Sequence, residues 1–280
     1  MKRNILGTIL ATGFVASPVL AQSSGAWSDL PDRFQIDTGY YRMEATTVLR
    51  LNGSGTSGSD IDLERDLGVA PEVDTIWLDA TWRVGRRHQL KLAYTKLDQE
   101  RKDYTIARDF AFGGQTFNAG LSAHTTSGAD VLSAYYRFAA YRNERFEIGP
   151  AIGIGGLWVK AGIRATGTIT GPGGGQTSRT VEEDASTSSP TGAIGAYMNA
   201  RPTKRLVLHA DFLYIKVKPE NAEASLIDWR LGADYYFFRH AGLGVQYKYN
   251  NYQYDRGLLS TTLGGEITYQ GFQGFLSFLF

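Results

Sequence analysis

His209-Ala210-Asp211 is the pair in this sequence best placed for acid–base chemistry. Residues i and i+2 of an extended chain share a face, so the imidazole would stand beside a carboxylate able to orient it. The same pairing serves equally well as one link of a buried hydrogen-bond network. The other histidines, His88, His124 and His240, have no catalytic neighbour in a firm register. A second candidate is SDIDLERDLG, in which Asp60, Asp62, Glu64 and Asp66 alternate. Oxygen ligands at alternate positions suit Ca²⁺, but Arg65 occupies the place where a calcium loop turns on glycine. Ile61 and Leu63, set between the acids, instead read as a loop folding over an opening. Gly171-Pro172-Gly173-Gly174-Gly175 lacks the strand-to-helix context of a phosphate loop and reads as a surface tip. None of these stretches calls for a metal or a cofactor, no catalytic residue is assigned, and an enzyme is not expected.

The larger titratable set is dispersed, and its spacing is the stronger signal. Asp79, Arg83, Lys91, Arg137, Glu147, Asp211, Asp228 and Arg230 alternate with apolar residues. A period of two marks a β-strand with unlike faces. In 73–84, Ile76, Leu78, Ala80, Trp82 and Val84 fall opposite Asp79, Thr81 and Arg83. Leu90, Leu92 and Tyr94 oppose Gln89, Lys91, Ala93 and Thr95, and Leu132, Ala134, Tyr136 and Phe138 oppose Ser133, Tyr135 and Arg137. The alternation continues through Ile148, Ile152 and Ile154, through Ile194 and Met198, and through Leu208, Phe212 and Tyr214. It resumes through Trp229, Leu231 and Tyr235, and through Leu243, Val245 and Tyr247. It ends with Phe272, Gly274, Leu276, Phe278 and Phe280. In the first strand, from about Phe34 to Leu51, the same rule puts Tyr41, Met43, Ala45, Leu49 and Leu51 on the apolar face. Arg42, Glu44, Thr46 and Arg50 then take the polar one.

A soluble sandwich would have to bury the charged face in its core, which argues against it. Apolar residues outside and charged ones inside predict an all-β transmembrane antiparallel barrel. The inward set then holds Arg42, Arg83, Lys91, Arg137, Arg145, Arg230 and Lys248 against Glu44, Asp79, Glu147, Asp211, Asp228 and Asp234. In so narrow a lumen the charges must pair or cost several kcal/mol each. They form either a salt-bridged plug, the preferred reading, or a narrow conduit that selects a solute. Inward Gly149, Gly153, Gly155, Gly232, Gly244 and Gly271 leave room for a cavity, for bending of the sheet or for a long side chain lying flat.

Four connections are short, near Gly85, Tyr141, Pro202 and His240, and five are longer, near Gly55, Gly113, Gly173, Asn221 and Asp255. Short turns and long loops mark the two ends of such a barrel. Ten strands follow, with both termini at the short-turn, periplasmic end. Residues 100–128 leave room for an extra hairpin, so twelve is the runner-up. Residues 1–21 read as a signal peptide, with Lys2 and Arg3 ahead of an apolar core and Val19-Leu20-Ala21 before the cut. Residues 22–31 are a polar periplasmic lead-in, and 32–280 the barrel domain. The composition agrees. The 280 residues include 33 Gly, 16 Tyr, 14 Phe and 5 Trp but no Cys, so an exported chain must hold by packing and backbone pairing. Beyond the signal no apolar run of about eighteen residues exists, which excludes helical spans. A net charge of +1 gives no reason to expect nucleic acid as a partner.

The closing stretch GGEITYQGFQGFLSFLF, ending on an aromatic, resembles the bacterial outer-membrane β-barrel proteins. The resemblance implies export to the cell outer membrane of a Gram-negative envelope, contact with lipids and lipopolysaccharide, and an assembly signal read by the envelope's assembly machinery at Phe280. From Asp66-Leu67-Gly68 through Trp82-Arg83, Arg87-His88 and Tyr94 the chain is similar to a proteobacterial group of small single-chain barrels, which implies fold and location and no substrate. Ten strands with His and Asp inside invite comparison with the omptin proteases, which work at the extracellular rim. His209 stands only about 15 Å above a short turn. The lipid A deacylases carry a lipid-facing His–Ser pair that has no counterpart here. A monomeric barrel with a structural or surface-interaction role is therefore expected. A porin-like channel for small solutes is the alternative, and an outer-membrane enzyme the third.

Overall fold

The computed structural model describes residues 33–51, 59–112, 115–170, 176–217, 222–256 and 263–280. The expected signal peptide, the lead-in up to residue 31 and the glycine tip at 171–175 lie outside these residues. Ten long strands form the wall: β1 (Phe34–Leu51), β2 (Glu72–Arg83), β3 (His88–Thr105), β4 (Ser122–Phe138), β5 (Phe146–Thr170), β6 (Gln176–Ala200), β7 (Leu206–Val217), β8 (Ala222–Tyr236), β9 (Ala241–Arg256) and β10 (Leu263–Leu279). Each pairs antiparallel with its sequence neighbour, and β10 returns to β1, so the sheet is closed. The seam is made by the chain ends themselves. The backbones of Phe34 and Phe280 exchange hydrogen bonds of 3.0 and 2.8 Å, and their rings lie 6.2 Å apart. Among its described residues, the segment that left room for two more strands holds, besides the ends of β3 and β4, a short hairpin, Phe110–Phe112 with Gln115–Phe117, which is a separate sheet from the wall.

Backbone hydrogen bonds close the short turns at Gly85–His88 and Phe238–Ala241, and side-chain ones hold the other two. Asn143 Oδ1 accepts from the backbone of Arg145 and Phe146, and Thr203 Oγ1 from that of Arg205 and Leu206. Above the turns the outer wall is an exposed apolar belt. Trp82, Tyr136, Tyr141, Tyr235, Phe237 and Phe280 ring its turn-side edge, and Tyr40, Tyr94, Trp158, Tyr214 and Phe272 its loop-side edge. From Ile148 to Trp158 on β5 the belt is about 24 Å tall, for strands rising 3.3–3.4 Å per residue at a 45° tilt.

Beyond the belt the alternation inverts. On β5, Lys160 and Arg164 now point out while Val159, Ile163 and Ala165 are buried inside. β1 does the same, and this corrects its expected register. Tyr41, Met43, Ala45 and Leu49 face the interior; Arg42 and Glu44 face outward. The Arg42 guanidinium pairs with Glu72 on the outer surface, the two side chains being 63 and 60% exposed. The physical reason is the environment: only the lower third of β1, with Ile36, Thr38 and Tyr40 outward, lies in the belt. Above it the barrel has a water-facing exterior and needs an apolar core, as any soluble sheet does. The other nine strands have the expected faces within the belt. Arg145, expected inside, is exposed in a turn.

The loop-end core is completed by segments folded into the mouth. A short strand, Ile61–Asp62, pairs with β1 and leads into α1 (Leu63–Leu67). Asp62 caps the N-terminus of α1, and Gly68 ends it with φ +64°, where glycine alone is unstrained. Ile61, Leu63 and Leu67 pack with Phe110, Phe112 and Phe117 against the inner wall, as the spacing of Ile61 and Leu63 suggested.

Cysteine labelling tests the β1 register. In the refolded barrel, Arg42→Cys should react readily with a membrane-impermeant maleimide, and Tyr41→Cys or Met43→Cys only after unfolding. The reverse pattern would restore the register read from polarity.

Candidate functional site in the lumen

Within the belt, β2, β3, β4, β7 and β8 each place a charged side chain inward, and five of these meet in one cluster. Asp79 Oδ2 lies 2.8 Å from Lys91 Nζ and 2.7 Å from Arg230 Nη1. Asp211 takes Arg137 Nη2 at 2.6 Å on one oxygen and stands 3.1 Å from Arg230 Nε with the other. β8 and β2 are four strands apart around the ring, so the Arg230–Asp79 pair crosses the lumen. Arg137–Asp211 crosses it again, from β4 to β7. Arg230 is 2% exposed. Nearer the turns, fully buried Glu147 accepts from Arg83 at 2.8 Å, from Arg142 at 3.2 Å and from Gln89 at close range.

Eight of the ten residues assigned to a lumen network thus lie inside: Asp79, Arg83, Lys91, Arg137, Glu147, Asp211, Asp228 and Arg230. Arg42 and Glu44 do not, for the reason given above. Asp228 is inside but outside the cluster. It is 1% exposed, and one of its oxygens has no hydrogen-bond partner. Among the described residues, no carboxylate comes within ion-pair distance of Lys248, whose ammonium stands 5.9 Å from the centre of the Tyr269 ring. Alternation alone located these two groups; it could not tell which inward charges would meet across the ring. Gln89, placed inward but neutral, and Arg142, lying in a turn, were not recognised as partners of Glu147.

His209 and Asp211, two apart in sequence, do not bond to each other. His209 Nδ1 lies 3.3 Å from Asp234 Oδ2 and Nε2 3.0 Å from Gln246 Oε1, while the Gln246 amide donates to Gln273. Both ring nitrogens face acceptors, an arrangement that suits the imidazolium. Three of the inward glycines seat side chains, Gly153 under the Tyr135 ring, Gly232 under His209 and Gly244 under Phe275, while Gly149 and Gly271 let neighbouring backbone approach closely. What remains is a polar cavity of about 40 Å³ between the cluster and the turns, bordered by Asp37, Lys91, Arg137, His209 and Asp234. It has room for a few water molecules.

The acidic run at the mouth is structural. Asp60 pairs with Arg50 at 2.6 Å, Asp62 caps α1, and Glu64 accepts from the backbone of Thr47. Asp66 binds Arg108 at 2.5 Å and Arg65 at 3.1 Å, fastening the first loop to the second. Among the described residues no group of three His, Cys, Asp or Glu side chains is disposed to hold a metal. Burial would raise the Asp66 carboxyl, but the hydrogen bonds from Arg108 and Arg65 outweigh it and hold the group down to about 2.

No protein-family model and no curated relative match this sequence. Among solved structures, the outer membrane protease OmpT from Escherichia coli aligns with 92% of this chain and all of its own, at 14% identity and a TM-score of 0.56. Ail, the attachment invasion locus protein of Yersinia pestis, aligns with 89% of the chain and all of its own at 11% identity and 0.36. OprG from Pseudomonas aeruginosa aligns with 91% of the chain and 99% of its own at 11% and 0.31. The likeness to OmpT is one of fold: a closed ten-stranded antiparallel barrel.

Two measurements follow. Arg230→Met leaves Asp79 and Asp211 short of a cation and should lower unfolding stability by about 3–5 kcal/mol, whereas exposed Arg42→Ala should leave it nearly unchanged. Urea midpoints in detergent check both, and equal effects would contradict the lumen assignment. The Asp66 clasp, with a carboxyl depressed in the folded state, contributes fully above the ordinary range near 4 and is lost as pH falls through about 2. Amide protection across 61–69 should therefore persist at pH 4 and collapse near pH 2. In Asp66→Asn it should be weaker at every pH.

Proposed function

We propose that this chain is an exported, monomeric outer-membrane barrel with its loop end outward and its termini periplasmic, closed through the lumen, and structural or surface-interacting in role. The observation that carries the proposal is the pair of ion bridges crossing the ring inside the apolar belt. An ion pair spanning the lumen, with a packed apolar core above it, supports a plug rather than a path. The belt height, close to the ~25 Å of membrane barrels, and its two aromatic edges support membrane residence. The closing strand and Phe280 are proposed as the signal to the assembly machinery, and lipids and lipopolysaccharide as the neighbours of the belt. A non-enzymatic role is supported by His209, whose two nitrogens are engaged by Asp234 and Gln246 in the turn-end half.

The channel reading keeps one observation in its favour, the polar cavity leading from the turns to the cluster. Planar-bilayer recording of the refolded chain separates the two. The closed barrel predicts no steady conductance from heat-modifiable protein. Ion-selective steps altered by Arg137→Ala or Asp211→Ala would make it a channel.

A further inference from the structure

Just beyond the loop-side aromatic edge, the outer wall carries a groove of about 760 Å³ across β3 to β6. Such a volume lies within the ~300–1,000 Å³ of small-ligand sites. The strand registers build it in two rows. Asp98, Gly128, Lys160 and Ser186 pair side by side in the first, and Thr126, Gly162 and Asp184 in the second. Gly128 and Gly162 are the floor. A Cβ on Gly128 would stand 3.1 Å from Asp98 Oδ1, and one on Gly162 would collide with Asp184 Oδ1 and Thr126 Oγ1. The two carboxylates therefore lean over the floor from opposite rims, β3 and β6, with β4 and β5 between them.

The electrostatics select among ligands. Asp98 is paired with Lys96 at 2.7 Å, and Lys160 lines the groove one row from Asp184 on the neighbouring strand. With Lys96 standing beside the groove, these side chains set two ammonium groups against two carboxylates, a mixture that favours neither a bare phosphate nor a polyamine. Carboxylate acceptors, ammonium donors and the hydroxyls of Thr126 and Ser186 are the groups that bond a polyhydroxyl ligand. The position agrees: Lys160 is the first outward residue beyond Trp158 on β5, at the level where the sugars of a surrounding glycolipid begin.

We propose that this groove binds a neutral saccharide of hexose type. The proposal deepens the surface-interaction reading and rests on it. The sugar can come from a membrane glycolipid or from a free glycan, and the chemistry is the same. The test is calorimetry on the refolded full chain in detergent, titrated with lipopolysaccharide carrying its complete hexose core, with deep-rough lipopolysaccharide lacking hexoses, and with the core oligosaccharide released from the former. The complete form should bind at least about tenfold more tightly than the deep-rough form, as two charge-assisted hydrogen bonds would give. Asp98→Ala/Asp184→Ala, which removes the acceptors, and Gly162→Leu, which fills the floor, should each abolish that difference while the barrel stays heat-modifiable. Binding of the released oligosaccharide supports a site for free glycan; its silence beside a preserved tenfold preference supports a glycolipid site. Equal affinity for the two lipopolysaccharides, or an unchanged preference in both variants, would overturn the proposal. Conductance read on the same sample keeps the two readings apart: no sugar preference in a silent barrel retires the groove alone, and steps in a sugar-binding one retire the closed lumen alone.

Discussion

A closed sheet leaves each side chain two places to go, and the pleat makes the choice for every second residue at once. Closure gives every wall strand a hydrogen-bonded neighbour on each side, which is what a wall in lipid requires. The cost falls on the side chains. Where the exterior is apolar, the interior must accept what remains, and a ring of ten strands is too narrow to keep charges apart. The barrel answers by joining opposite walls, Arg230 to Asp79 and Arg137 to Asp211. Beyond the aromatic edge the exterior becomes polar, and the same pleat sends Met43, Val159, Ile163 and Ala165 inward. The molecule is thus two stacked barrels on one set of strands, with the polarity of the faces exchanged at the level of Trp158.

Each section closes itself by the means its surroundings allow. In the belt, buried charges left unpaired would cost several kcal/mol apiece, so the carboxylates are shared among three cations and held by more than one contact. Above it, hydrophobic burial does the same job. Ile61, Leu63 and Leu67 from the first loop and Phe110, Phe112 and Phe117 from the second fill the mouth, and Arg108 fastens one loop to the other through Asp66. The described parts of these two loops belong to the core, and the outer wall above the belt is a surface open to other molecules.

Most of the wall was legible because the belt imposes a strict rule. Ile76, Leu78, Ala80 and Trp82 opposite Asp79, Thr81 and Arg83 admit one register, and the alternation of short turns with long loops counts the strands. β1 was misread because more than half of it lies above the belt, where the rule reverses. Met43, Ala45 and Leu49 are apolar because they are core, and Arg42, Glu44 and Thr46 polar because they meet water. The reversal was visible in principle, since Ile36 and Tyr40 share a face with Arg42 and a single strand cannot keep both kinds in lipid. The pairing inside the lumen was not visible. Which charges meet depends on the stagger of neighbouring strands and of strands three or four places apart, and that left Asp228 and Lys248 outside the cluster and joined His209 to Asp234 on the adjacent strand rather than to Asp211.

The exchange of faces at Trp158 is the central claim, and a spin-label scan along β5 tests it most directly. Labels placed one at a time at the outward positions from Ile148 to Arg164 would be read for collision with oxygen, which partitions into lipid, and with a water-soluble nickel complex. Oxygen access should dominate from 148 to 156, cross over at 158 and give way to nickel access at 160 and 164. Nickel access throughout would deny the belt, and oxygen access continuing to 164 would deny the water-facing upper barrel on which the corrected register of β1 depends.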